Sequence, residues 1–92
     1  MYIDYKLKQK LRKKYRREYN QLIYIYKQWL DLEPDLEFYL YEDFNLDKPN
    51  NLYYRLDILN DTRCLFSKGF IQFKKLVEYF KDVNRIVKDR NS

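Results

Sequence analysis

The feature that most restricts this chain is an amphipathic run from residue 4 to residue 32, uninterrupted by proline or glycine. At about 100° per residue, Leu11, Tyr15, Tyr19, Leu22, Tyr26 and Trp29 fall on one face. Lys6, Lys10, Lys13 and Arg17 fall together on the opposite face. The pattern predicts one long helix over 4–32. Pro34 ends it, because proline restricts the residue before it and offers no N–H to the preceding turn. Such a helix would be about 43 Å long, whereas a compact domain of this size is roughly 32 Å across. Part of it should therefore project beyond the domain. The basic end is expected to be that part, since Lys8 lies on the apolar face, where burying a cation is costly.

Beyond Pro34 the period changes. Residues 36–41 alternate, so Leu36, Phe38 and Leu40 should face a core, with Glu37, Tyr39 and Tyr41 outside. Asp47-Lys48-Pro49-Asn50-Asn51 has the composition of a turn. Residues 52–59 alternate again, with Leu52, Tyr54, Leu56 and Ile58 on one face, and Asn60-Asp61 suggests a tight turn into a third strand, Arg63–Ser67. A rival helix from Pro49 to Asn60 also satisfies the spacing of Leu52, Leu56 and Leu59, and Pro49 suits a first helical turn. Residues 70–89 predict a second helix, with a stripe of Phe73, Leu76, Val77, Phe80, Val83 and Val87 and with Gly69 marking its start. The expected fold class is α+β: a single α-β-β-β-α domain over 1–92, with a three-stranded antiparallel meander across 36–67 covered on one side by both helices. An all-α helical bundle is the alternative.

Eleven Tyr and six Phe supply much of the apolar surface, there is no Ala, and Gly occurs once. A chain this aromatic is not expected to be disordered. Its Lys, Asn, Ile, Tyr and Phe are what AT-rich codons produce, pointing to a phage, a plasmid or a low-GC bacterium. Cys64 is alone, which rules out an internal disulfide and suits a reducing cytoplasm. Beside Leu65 and Phe66 it reads as a buried structural thiol. No stretch approaches the roughly 18 apolar residues of a membrane span, and Met1-Tyr2-Ile3-Asp4 carries charge where a signal peptide needs an apolar core. A cytoplasmic protein without membrane contact is expected.

The charge is sorted along the chain. Residues 1–20 hold eight Lys or Arg against two acids, a net +6; residues 31–61 hold nine acids against two bases, a net −7; residues 62–92 return to +5. The overall +5 therefore hides a strongly dipolar molecule. Clustered cations suit phosphate contacts, which release counterions and bind independently of sequence. On that reading Lys6, Lys10, Lys13, Lys14 and Arg17, with Lys74, Lys81, Arg85 and Lys88 on the last helix, are the nucleic-acid candidates. The same cations also serve simply as solvated helix faces. A basic stretch running into an apolar seam is the layout of a basic zipper, but only about two heptads follow and base-reading polar residues are lacking. The acidic middle has two functional readings: its nine carboxylates imitate a phosphate track and occupy the basic groove of a nucleic-acid-handling enzyme, or Glu37, Tyr39, Tyr41, Asp43, Tyr53, Arg55 and Asp57 form a protein-partner surface. Tyr is large, rigid and amphipathic, and is enriched where partners bind. An exposed sheet face kept soluble by acids is the plainer alternative.

Catalysis is not expected. The chain has no His, the commonest acid–base group and metal ligand. Cys64 has no second thiol, and one Gly cannot build a phosphate-cradling loop. No metal or cofactor is expected. These readings converge on a small non-enzymatic interaction protein that binds a host protein or nucleoprotein complex and inhibits a nucleic-acid-handling machine, as defence-nuclease inhibitors of the anti-CRISPR type do. The alternatives are a nucleic-acid-binding accessory or regulatory protein, and an assembly protein that dimerises through its first helix.

Overall fold

A computed structural model describes the backbone of residues 1–45, 48–61 and 63–91, with side chains for all of these except 44, 45, 48–51 and 87–91. The chain begins with a two-residue strand, β1 (Tyr2–Ile3), and passes through Asp4 into α1 (Tyr5–Lys14). Asp4 caps that helix: its carboxylate accepts from the backbone N–H groups of Lys6 and Leu7, donors that the first turn otherwise leaves unpaired.

The expected single helix is broken at Tyr15. α1 ends there and α2 (Arg16–Leu32) begins, with Tyr15 at φ −133° and ψ 46°. The Tyr15 N–H still donates to the Leu11 carbonyl at 2.7 Å, and its own carbonyl accepts from Tyr19 at 2.8 Å, so one residue serves both helix ends. No proline or glycine marks the position. The break is a tertiary effect: the Tyr15 ring packs on Phe73 at 5.8 Å, and α1 and α2 both lie on the core. Arg12, Lys13 and Lys14 complement the negative end of α1, while Arg16 and Arg17 crowd the positive end of α2, so continuity gains little there.

The basic end consequently does not overhang. Leu7 and Leu11 are 5% and 0% exposed and belong to the same core as Leu22 and Ile25. Leu11→Ala should cost about 2–5 kcal/mol in a urea unfolding experiment, the range for truncating a buried leucine. On a projecting helix the same change would cost almost nothing, because Ala is the better helix former.

α2 delivers the chain to β2 (Leu36–Asn45), which pairs antiparallel with β3 (Lys48–Asn60), and β3 pairs antiparallel with β4 (Arg63–Phe70). The meander is present as expected, with longer strands. β1 adds a fourth strand parallel to β2, so the sheet order is β1-β2-β3-β4. The rival helix over 49–60 is overturned: this stretch hydrogen-bonds to strands on both sides. The expected turn over 47–51 is likewise displaced, since Lys48–Asn51 already belong to β3, and Asp47 lies outside the described residues. The second turn falls where expected, with Asp61 at φ 55°, a left-handed conformation that Asp tolerates better than most residues.

α3 (Phe73–Asn91) starts later than expected, because Phe70 still belongs to β4. Phe73, Leu76, Val77 and Phe80 are all within 1% of full burial. They meet Phe38, Leu40, Leu56 and Ile58 from the sheet, so the helices cover one sheet face. Aromatic edges fill the centre, with Phe38 between Tyr26 at 4.9 Å, Phe80 at 5.8 Å and Trp29 at 6.0 Å. Trp29 Nε1 donates to Asn84 Oδ1 at 2.8 Å, tying α2 to α3 with a satisfied polar contact. No described helix is long and apolar enough to cross a membrane.

Two single residues depart from expectation. Gly69 does not open the last helix; it sits in β4 opposite Arg55. A Cβ there would lie 2.7 Å from the Tyr53 ring, so the glycine exists to let that ring cover the strand. Cys64 is exposed, not buried. The register shifts between Ile58 and Leu59, and Cys64 lies near the end of the edge strand, where its apolar neighbours do not enclose it.

Candidate functional site

Alternation along β2 and β3 sends every second side chain away from the helices, and among the described residues no other element covers that side of the sheet. Glu37, Tyr39, Tyr41, Asp43, Tyr53, Arg55 and Asp57, the seven residues expected to form a partner surface, all lie there. The register sets Tyr39 opposite Asp57, Tyr41 opposite Arg55, and Asp43 opposite Tyr53.

Their polar groups are tied to one another. Asp57 is the centre: its Oδ2 accepts from the Tyr41 hydroxyl at 2.7 Å, and its Oδ1 accepts from Ser67 Oγ at 2.6 Å and Arg55 Nε at 3.4 Å. Arg55 Nη2 also donates to Ser67 Oγ at 2.7 Å. At the margins, Tyr53 donates to Asp43 at 3.1 Å and Tyr39 to Glu37 at 2.8 Å. Tyr2 of β1 stacks on Tyr39 with centroids 4.7 Å apart and planes 13° from parallel. The rings are thus held in place by the chain's own groups, so ordering them carries little further cost.

Burial alone would raise the Asp57 pKa, but the hydrogen bonds from Ser67 and Tyr41 and the charge of Arg55 outweigh it and hold it low. Tyr41 is pushed up to about 12, first by burial and then by its bond to the Asp57 carboxylate. The neutral phenol is thus the form the fold favours. Its contribution to stability is complete below the ordinary tyrosine value near pH ~10 and is lost as the pH rises towards about 12. Asp57 behaves in the opposite sense, contributing above the ordinary carboxylate range and losing its contribution as the pH falls through its lowered value. Tyr41→Phe should therefore lower the urea midpoint at neutral pH, and its difference from the parent should shrink above about pH 10.

The helix side is cationic. Lys6, Lys13, Lys14, Arg17, Lys74, Lys81 and Arg85 are exposed, and the side chain of Lys88 lies outside the described residues. Lys10 differs from the expected free cation: its Nζ bridges to Glu42 of β2 at 2.9 Å, a bond that raises the lysine pKa, and it lies 5.8 Å from the Tyr54 ring. Only part of the expected basic set converges. Arg17 of α2 meets Lys81 and Arg85 of α3 across a groove of about 580 Å³. Lys6, Lys13, Lys14 and Lys74 do not line it. The apolar seam considered for dimerisation is spent on the core, since Leu11, Tyr19 and Leu22 are buried there and Tyr15, Tyr26 and Trp29 pack against it.

Sequence reasoning missed Tyr2, Ser67 and Gly69 on the sheet face and Tyr24 at the groove. The first three become visible only through strand register, and Tyr24 only once α3 is placed beside α2. Comparison with protein-family models, with curated proteins and with solved structures finds no match.

Proposed function

We propose that this chain is a non-catalytic binding protein that docks on a protein or nucleoprotein partner through the open face of its sheet. The observation that carries the reading is the tyrosine layer itself: Tyr2, Tyr39, Tyr41 and Tyr53 held in place by stacking and by carboxylates on a face the fold leaves uncovered. Protein interfaces draw most of their energy from such anchored aromatic side chains. Glu37, Asp43 and Asp57 outnumber Arg55 on this face, so the partner surface that complements it is cationic.

Cationic grooves belong to proteins that handle nucleic acids, and occupying one would block its substrate. The chain therefore acts as an inhibitor of such a machine in a low-GC host cytoplasm. A defence nuclease is the target class that the phage-like composition favours.

The test is affinity capture from a low-GC bacterial lysate, with and without nuclease, using the parent chain and the double variant Tyr39→Ala/Tyr53→Ala. A protein retained by the parent after nuclease and lost by the folded variant supports the reading. A protein retained equally by both overturns it.

A further inference from the structure

We infer that the groove between α2 and α3 binds single-stranded nucleic acid. Arg17, Asn20, Gln21 and Tyr24 stand at i, i+3, i+4 and i+7 on one face of α2, and Lys81 and Arg85 face them one turn apart on α3. Buried Ile25 forms the floor. Asn84 closes the inner wall, its amide fixed by Trp29 Nε1 at 2.8 Å and Gln28 Oε1 at 3.5 Å.

Three observations select the ligand. Among the described residues the lining contains three cations and no acid. Among the same residues, ion pairs engage Lys10, Arg55 and Lys75 but none of the groove cations, and Arg17, Lys81 and Arg85 are all exposed. Tyr24 is 63% exposed although it is a large aromatic side chain at the groove wall. An open ring beside fixed cations is the arrangement by which proteins stack an unpaired base while holding its phosphates. The side-chain amides of Asn20 and Gln21 add donors and acceptors for a base edge. A duplex hides its base faces and would leave Tyr24 without a partner, and an acidic peptide would use the cations alone.

This site is on the other side of the sheet from the tyrosine layer and does not depend on the reading given for that face. The experiment is fluorescence anisotropy with a labelled oligothymidine of roughly 12 nucleotides, a duplex of equal length and an oligoglutamate peptide. Three phosphate contacts on a single strand predict a salt slope near −2, or about a twenty-fold loss of affinity between 50 and 200 mM salt. Arg17→Gln/Lys81→Gln/Arg85→Gln should flatten that slope. Tyr24→Ala should weaken oligothymidine binding about ten-fold, within the range for a lost base–aromatic stack, and Tyr24→Phe should restore it. All four side chains are exposed, so the thermal midpoints of these variants should stay near that of the parent. Equal binding of the duplex or of oligoglutamate, or an unaltered affinity in Tyr24→Ala, would overturn the assignment. So would loss of oligothymidine binding in Tyr39→Ala/Tyr53→Ala, which should leave the groove intact.

Discussion

Phe38→Ala should destabilise the protein by about 3–5 kcal/mol, the usual cost of removing a buried aromatic ring. Phe38 has no exposed surface, and Tyr26, Trp29 and Phe80 all present rings to it within about 6 Å. Its removal opens a cavity lined by rings from α2 and α3, and neither helix can close it without leaving its other neighbours. Domains of this kind hold about 5–15 kcal/mol in total, so the variant should sit near the edge of folding at room temperature. Trp29 is the only tryptophan, and it borders the cavity, so its fluorescence reports the site directly during urea unfolding. A cost below about 1 kcal/mol, the level of a surface change, would mean that the ring is not in the core.

The parts of this fold that were legible in the sequence are those that a single periodic signal decides. Alternation assigned Phe38 and Leu40 inward and Tyr39 and Tyr41 outward, and the same alternation placed all seven partner-surface candidates on one face. Spacing also identified Phe73, Leu76, Val77 and Phe80 as the buried side of the last helix. Where two periods overlapped, the sequence alone could not choose. Leu52, Leu56 and Leu59 fit a helix while Leu52, Tyr54, Leu56 and Ile58 fit a strand, and pairing with β2 and β4 decides for the strand.

What escaped the sequence depends on contacts between distant segments. Tyr15 lies in a stretch with no helix breaker, and the helix is interrupted there where its ring packs on Phe73 and the core. β1 is two residues long, too short for any periodic signal, and exists only because Tyr2 and Ile3 find Tyr39 and Leu40 across the sheet. Gly69 stands close to the last helix in sequence, but its role is to make room for a ring from the neighbouring strand. The charge blocks were real, but their one-dimensional order concealed that Glu42 is paired with Lys10 and that Arg17 sits beside Lys81 and Arg85.

The second large effect concerns the sheet face. Tyr39→Ala/Tyr53→Ala should weaken partner binding by about 1,000-fold, since truncating an anchoring hot-spot tyrosine costs about 2 kcal/mol or more and each 1.4 kcal/mol is ten-fold. Both side chains are half-buried on the surface of the sheet, so the fold should survive with a modest loss in thermal midpoint. Glu37→Lys/Asp43→Lys provides an independent check. It keeps every ring but removes the carboxylates that Tyr39 and Tyr53 donate to and reverses the charge presented to a cationic partner, so it should impair binding both through looser rings and through a slower, salt-dependent association. The groove variant Arg17→Gln/Lys81→Gln/Arg85→Gln leaves the sheet face untouched and should retain the protein partner.

Parallel capture with these four proteins after nuclease treatment, quantified by mass spectrometry, decides whether the sheet face is the docking surface. One protein species should be held by the parent and by the groove variant, and lost from both sheet-face variants. Retention by the sheet-face variants with loss from the groove variant would contradict that assignment and move the partner to the helix side.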